Sequence, residues 1–225
     1  MKFRFIILFI LSFLGTVTSA EKVKQSILRL KNNQSTIEFL NPSKVWGVDI
    51  LLSNGGFGIG GFFAQPLNSD YTFTASMTFN EAKDEGEVEY YDYWGQIIIP
   101  GKINRFLVVP IYAGMQKRLF SEDIVDNFRP YINFSVGPTM IFTTNYNKEF
   151  FSSLGEGRSH WTFGGYIGIG ANFGKITSSL SGVNLRYYFI PFRSGIPSMK
   201  SEDNVISKLK EFGGFFITLN FGKGY

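Results

Sequence analysis

Tyr71-Thr72-Phe73-Thr74-Ala75-Ser76-Met77-Thr78-Phe79 is the stretch that decides the fold of this chain. Odd positions are apolar and mostly large; even positions are small hydroxyls. Neighbouring side chains of a β-strand point to opposite faces, so this segment makes a strand with one greasy and one polar face. A soluble sandwich would turn the bulky face inward, whereas a membrane barrel turns it to lipid and keeps the polar face for its lumen.

The same alternation recurs on both sides of it. Residues 45–53 set Trp46, Val48, Ile50 and Leu52 against Gly47, Asp49 and Leu51, and Asn54-Gly55-Gly56 reads as a tight turn. Residues 56–64 follow, and the quoted strand occupies 70–80. Further strands are expected at 103–120, 128–144, 161–173, 177–190 and 212–221, which makes eight. In residues 128–144, for example, Ile132, Phe134, Val136, Met140 and Phe142 alternate with Tyr131, Asn133, Ser135 and Thr139. Ten strands result if residues 26–40 or 87–99 add more.

The first twenty residues have the form of a cleaved signal peptide: Lys2 and Arg4, an apolar run from Phe5 to Leu14, then Thr18-Ser19-Ala20. The apolar run is short for a membrane-spanning helix, which needs about twenty residues. Cleavage removes two of the 22 basic residues and none of the 18 acidic ones, leaving a mature chain of about +2 charge. No Lys/Arg run suggests nucleic acid. Cysteine is absent, so neither a lipid-modified leader nor a disulfide framework is available. Residues 21–44 read as a periplasmic arm or an extra strand, and 45–225 as the barrel.

With an even strand count and a periplasmic start, the connections at 65–69, 121–127 and 174–175 fall on one rim and are short. Those at 81–101, 145–159 and 192–210 fall on the other and are long, the polarity of outer-membrane barrels. The two-residue link at Asn54 and Gly55 departs from this pattern.

On these features the chain resembles the small single-chain bacterial outer-membrane barrels, the broad group around OmpA-type and OmpX-type proteins, over residues 45–221. The segment Gly214-Phe215-Phe216-Ile217-Thr218-Leu219-Asn220-Phe221 resembles the terminal signal read by the barrel-insertion machinery. Phe212, and the residues 222–225 beyond the last strand aromatic, depart from it. The resemblance implies an all-β, antiparallel up-and-down transmembrane barrel integral to the outer membrane. It further implies extracellular long loops, periplasmic termini, and contact with outer-membrane lipid and lipopolysaccharide. It identifies an architecture and not an activity.

Parity points Asp49, Arg118, Arg129 and Arg186 into the lumen. An eight-stranded barrel is just wide enough for side chains to fill it, so these form either a buried ionic plug or an anion-selective constriction. His160, the single histidine, lies near Ser152, Ser153 and Ser159, the elements of an activated serine. Adjacent Ser159 and His160 nevertheless point to opposite faces of a strand. The glycine clusters at 56–61 and 168–170 sit inside strands, without the following helix a phosphate loop needs, and read as space for a crowded interior.

The loop at 81–101 carries Glu85, Glu87, Glu89 and Asp92 beside Tyr90, Tyr91, Tyr93 and Trp94. These are candidates for binding a surface partner, and the carboxylates for holding a divalent cation, although no metal-ligand spacing is met. No cofactor motif is present. The reading is a non-enzymatic outer-membrane barrel with a structural or loop-mediated binding role. A narrow pore for small solutes or anions is the alternative, followed by a lipid-modifying enzyme using His160.

Overall fold

The computed structural model describes residues 44–124, 128–147, 154–173, 179–201 and 203–225. The signal peptide at 1–20 and the arm at 21–44, apart from Lys44, lie outside the described residues, as do Ser152 and Ser153.

Eight strands close a barrel: β1 (Val45–Ser53), β2 (Gly56–Pro66), β3 (Tyr71–Ala82), β6 (Asn104–Arg118), β7 (Phe128–Asn145), β8 (Arg158–Phe173), β9 (Ser179–Phe189) and β12 (Gly214–Gly224). Around the wall the order is β1-β12-β9-β8-β7-β6-β3-β2, every pair antiparallel. Closure pairs Asp49 of β1 with Asn220 of β12 and leaves no free barrel edge.

Two short hairpins stand apart from the wall: β4 (Tyr90–Tyr91) with β5 (Ile97–Ile98), and β10 (Pro191–Lys200) with β11 (Ile206–Glu211). Of the two segments that could have made ten strands, 87–99 forms the β4–β5 hairpin in a sheet of its own. The other, 26–40, lies outside the described residues.

Alternation is realised all round. Trp46, Phe57, Phe73, Ile111, Phe134, Phe163, Leu185 and Phe215, one from each barrel strand, all stand exposed on the outer face. A continuous apolar belt of this size is untenable in water and ordinary against lipid. Inward positions are buried: Asp49 and Leu51 on β1, Thr78 on β3, Tyr112 on β6, Asn184 and Tyr188 on β9.

Glycine inside the wall makes room for its neighbours. A Cβ on Gly168 would stand 2.5 Å from Asn133 Oδ1 and 2.9 Å from Asn184 Oδ1, so two asparagines pack over the position. Large side chains beside glycine let a narrow lumen fill without splaying the strands.

The two ends of the barrel, Val45 and Gly224, pair directly and share a rim with residues 67–70 and 119–124 and with the strand ends Phe173 and Ser179. The opposite rim carries Asn54-Gly55, the β4–β5 and β10–β11 hairpins, and residues 146–147 and 154–157.

Candidate functional site

Two places bring the chemistry-bearing residues together: the middle of the lumen and the long-loop rim.

In the lumen, Arg186 Nη1 donates to Asp49 Oδ2 at 3.0 Å, and Asn220 Nδ2 donates to Asp49 Oδ1 at 2.5 Å. Both ionic side chains are almost wholly buried. A lone buried charge is prohibitively desolvated, so each requires the other. The Arg186 guanidinium also lies over the Tyr166 ring, 4.8 Å from its centroid.

Immediately towards the long-loop rim, aromatic rings cross the barrel. Tyr112 of β6 lies 6.1 Å from Tyr188 of β9, and Tyr188 lies 5.1 Å from Phe216 of β12. Strands β6 and β12 are opposite one another in the eight-membered ring, so this row reaches from wall to wall. Tyr112 also shares a hydrogen bond of 2.8 Å with Thr139. Beyond the rings, Phe106, Val108, Ile141, Ile190, Ile196 and Phe212 continue the buried cluster.

The other two sequence-derived arginines are not in this contact. Arg118 Nη2 donates to the Ile124 carbonyl at 2.7 Å, in the connection after β6. Arg129 is half-buried and opposes Asn172 in the β7–β8 ladder. Of the expected cluster, therefore, the structure pairs Asp49 with Arg186 and assigns Arg118 to a turn. The small hydroxyls of the opening segment line a cavity of about 60 Å³: Thr72, Thr74 and Ser76 face it together with Gln116, Tyr131, Arg186 and Asn220. Val45, Phe62 and Leu180 also line it, so polar and apolar side chains share a space with room for a few waters.

His160 packs edge-on against Phe192, ring centroids 5.5 Å apart, and opposes Ile141 across the ladder. Ser159 opposes Phe142 on the other face of the strand.

At the rim, the β10–β11 hairpin is clasped to the loop that follows β3. Ile103 N–H donates to Ser198 O at 2.8 Å, Lys200 N–H to Gly101 O at 2.7 Å, and Asn104 Nδ2 to Pro197 O at 2.8 Å. Gly101 adopts φ 74° with the Lys200 carbonyl pressed where a Cβ would stand, so no other residue fits without strain. The Ser198 hydroxyl donates to Asp84 Oδ2. Ile196 is buried in the lumenal cluster, with Phe192 and Leu209 packed against it, so the hairpin covers the barrel mouth.

The acidic residues of this loop build the loop itself. Glu87 Oε2 pairs with Lys102 Nζ at 2.6 Å, both side chains only 3% exposed. Glu89 pairs with Lys83 at 3.0 Å near the surface, and this bond first of all holds the Lys83 amine above its ordinary range. Asp92 Oδ1 accepts from the backbone N–H groups of Trp94 and Gln96, both at 2.8 Å, closing the β4–β5 turn. Glu85 stands exposed. Among the described residues no group of three or more metal-ligating side chains gathers. What the loop leaves outward is aromatic: Tyr90, Tyr91, Tyr93 and Trp94 are all exposed.

The sequence places Ser198 and Tyr146 in long loops, but nothing in it marks them or Lys102 as partners of the acidic loop. Tyr146 receives Ile99 N–H at its hydroxyl, 3.3 Å, and carries the Arg105 guanidinium 4.8 Å from its ring centroid. These contacts join segments far apart in the chain, and no local spacing announces them.

Neisserial surface protein A has a solved structure that matches this one with a TM-score of 0.50, at 11% identity, over 81% of this chain and 95% of that one. The chain has the fold of the small bacterial outer-membrane barrels. The N-terminal β-barrel domain of Pseudomonas aeruginosa OprF is similar at a TM-score of 0.43 and 12% identity, over 82% of this chain and 98% of that one. Ail, the attachment invasion locus protein of Yersinia pestis, is similar at 0.39 and 14%, over 81% and 95%. No protein-family model matches the sequence, and no curated protein matches it.

Proposed function

We propose that this chain is an integral bacterial outer-membrane protein whose filled barrel anchors long loops for binding at the cell surface, without catalysis. The observation that carries the reading is the row Tyr112–Tyr188–Phe216 laid over the Asp49–Arg186 pair. A lumen crossed by packed rings and a buried ion pair resists solute flow and stiffens the wall. The exposed aromatic hairpin at the long-loop rim then supplies the surface for a partner.

In this reading the apolar belt meets membrane lipid and lipopolysaccharide, the long-loop rim faces outward, and both termini face the periplasm. The terminal strand, residues 214–221, is offered to the insertion machinery during assembly. The pore alternative draws on the cavity beside Thr72, Thr74 and Ser76. To conduct, it would have to part the tyrosine row as well as the ion pair.

Protease shaving of intact cells tests the orientation. Chymotrypsin added outside should cleave at Tyr91–Trp94 and spare Phe120, which is exposed at the opposite rim. Cleavage only after the outer membrane is opened would overturn the display reading.

A further inference from the structure

The cavity beside Thr72, Thr74 and Ser76 runs from the rim of the chain ends to the tyrosine row. Val45, Pro66 and Thr72 line it at strand ends on that rim. Tyr166 lines its deep side, and the Tyr188 ring lies 4.9 Å from the Tyr166 ring. Three of its lining residues hold buried polar atoms with no hydrogen-bond partner in the protein. Arg186 is 5% exposed and donates from Nη1 to Asp49 and Tyr188, but its Nε–H has no partner. Asn133, also 5% exposed, has none at Oδ1, and the Thr74 hydroxyl has none. Leaving such atoms unbonded is costly, so a ligand that bonds them gains affinity.

Charge and size select the ligand. The lining holds the Arg186 guanidinium and no carboxylate, since Asp49 is turned to Arg186 and Asn220 and does not face the cavity. Arg118 opposes the lining residue Tyr131 in the β6–β7 ladder, one step nearer the rim. Its guanidinium binds the Ile124 carbonyl and, among the described residues, no carboxylate. Asp70, Glu122 and Asp123 lie in the connections at that rim, outside the lining. A space lined this way favours an anion and disfavours a cation. Its volume of about 60 Å³ holds about four water-sized groups. Val45, Phe62 and Leu180 form an apolar side, beside which a multiply charged anion would be costly to desolvate.

We propose that this cavity is a binding site for a small monovalent anion of nitrate or acetate size. Arg186 Nε–H and the Thr74 hydroxyl donate to it, and the Asn133 amide, turned by half a rotation, adds its NH2. The site goes beyond the display reading, because it needs neither the loops nor a partner at the cell surface.

The test uses the full-length protein in nanodiscs of neutral lipid, with the Arg186 Nε–H signal followed by NMR. Sodium nitrate, sodium sulfate and urea are titrated in turn at constant ionic strength. Urea is planar and of nitrate's size but neutral, and sulfate carries a double charge. Nitrate should shift the signal saturably, and urea and sulfate should not. Thr74→Val removes one donor with little change of shape and should weaken nitrate binding by about tenfold. Thr74→Leu occupies the space itself and should abolish the saturable shift. Both variants leave Asp49 and Arg186 in place, and unchanged circular dichroism spectra and urea midpoints confirm that they fold. A nitrate shift that is absent or never saturates overturns the proposal. So does an equal response to urea or sulfate, or a nitrate response that survives Thr74→Val undiminished.

Discussion

Arg186 and Asp49 meet at 3.0 Å in the lumen, joining β9 to β1 across the intervening β12 and over 137 residues of chain. Because both are nearly fully buried, removing one strands the other. Asp49→Ala or Arg186→Ala should lower stability by about 3–5 kcal/mol, and replacing both with apolar residues should cost less than either single change. Urea unfolding of vesicle-reconstituted protein measures this. Additive losses in the double variant would mean the two charges do not depend on each other.

That pairing was half legible in the sequence. Alternation put Asp49 and Arg186 on the inward face, and Arg118 and Arg129 with them. Parity carries no depth, however, so it could not tell the midlumen arginine from those near the rim. The β10–β11 hairpin was not legible: Pro191, Gly195 and Pro197 break its alternation, and register shifts between Pro191 and Ile196 and between Pro197 and Met199 break the ladder. Barrel strands are specified by local period; the cap over the mouth is specified by contacts between distant loops.

Gly168→Ala probes the packing of asparagine over glycine. The new methyl meets Asn133 Oδ1 at 2.5 Å and the Leu185 carbonyl at 3.0 Å, and should destabilise by about 1–3 kcal/mol. Adding Asn133→Ser should recover part of the loss. Calorimetric or urea midpoints of the two variants decide it, and a neutral Gly168→Ala would mean that the lumen is looser than described.

The two ion pairs of the acidic loop should behave unequally. Glu87→Gln leaves Lys102 buried beside a weaker partner and should release the clasp, read as faster amide exchange at Ile103 and Lys200. Glu89→Gln, at an exposed pair, should change stability by about 0–1 kcal/mol. The Lys83 amine is raised, so its small contribution is complete at neutral pH and is lost only as alkaline pH passes its folded-state value. Equal effects from the two substitutions would contradict the burial assigned to Glu87.

On the outer face, Val136 sits near the middle of the 18-residue β7 and is exposed. Val136→Arg should cost about 2–4 kcal/mol in a bilayer, where charge at mid-depth is desolvated. An exposed site in water would tolerate it, so a neutral result in vesicles would place this face away from lipid.

A barrel whose lumen is filled and which acts through its rim should not conduct ions. Planar-bilayer recording of the purified full-length protein tests it most directly. A filled lumen should give no reproducible unitary conductance, in the wild type or in Arg118→Ala and Arg129→Ala variants. A stable conductance in the wild type, altered by substitution at Arg118, Arg129 or Arg186, would contradict it and establish the pore.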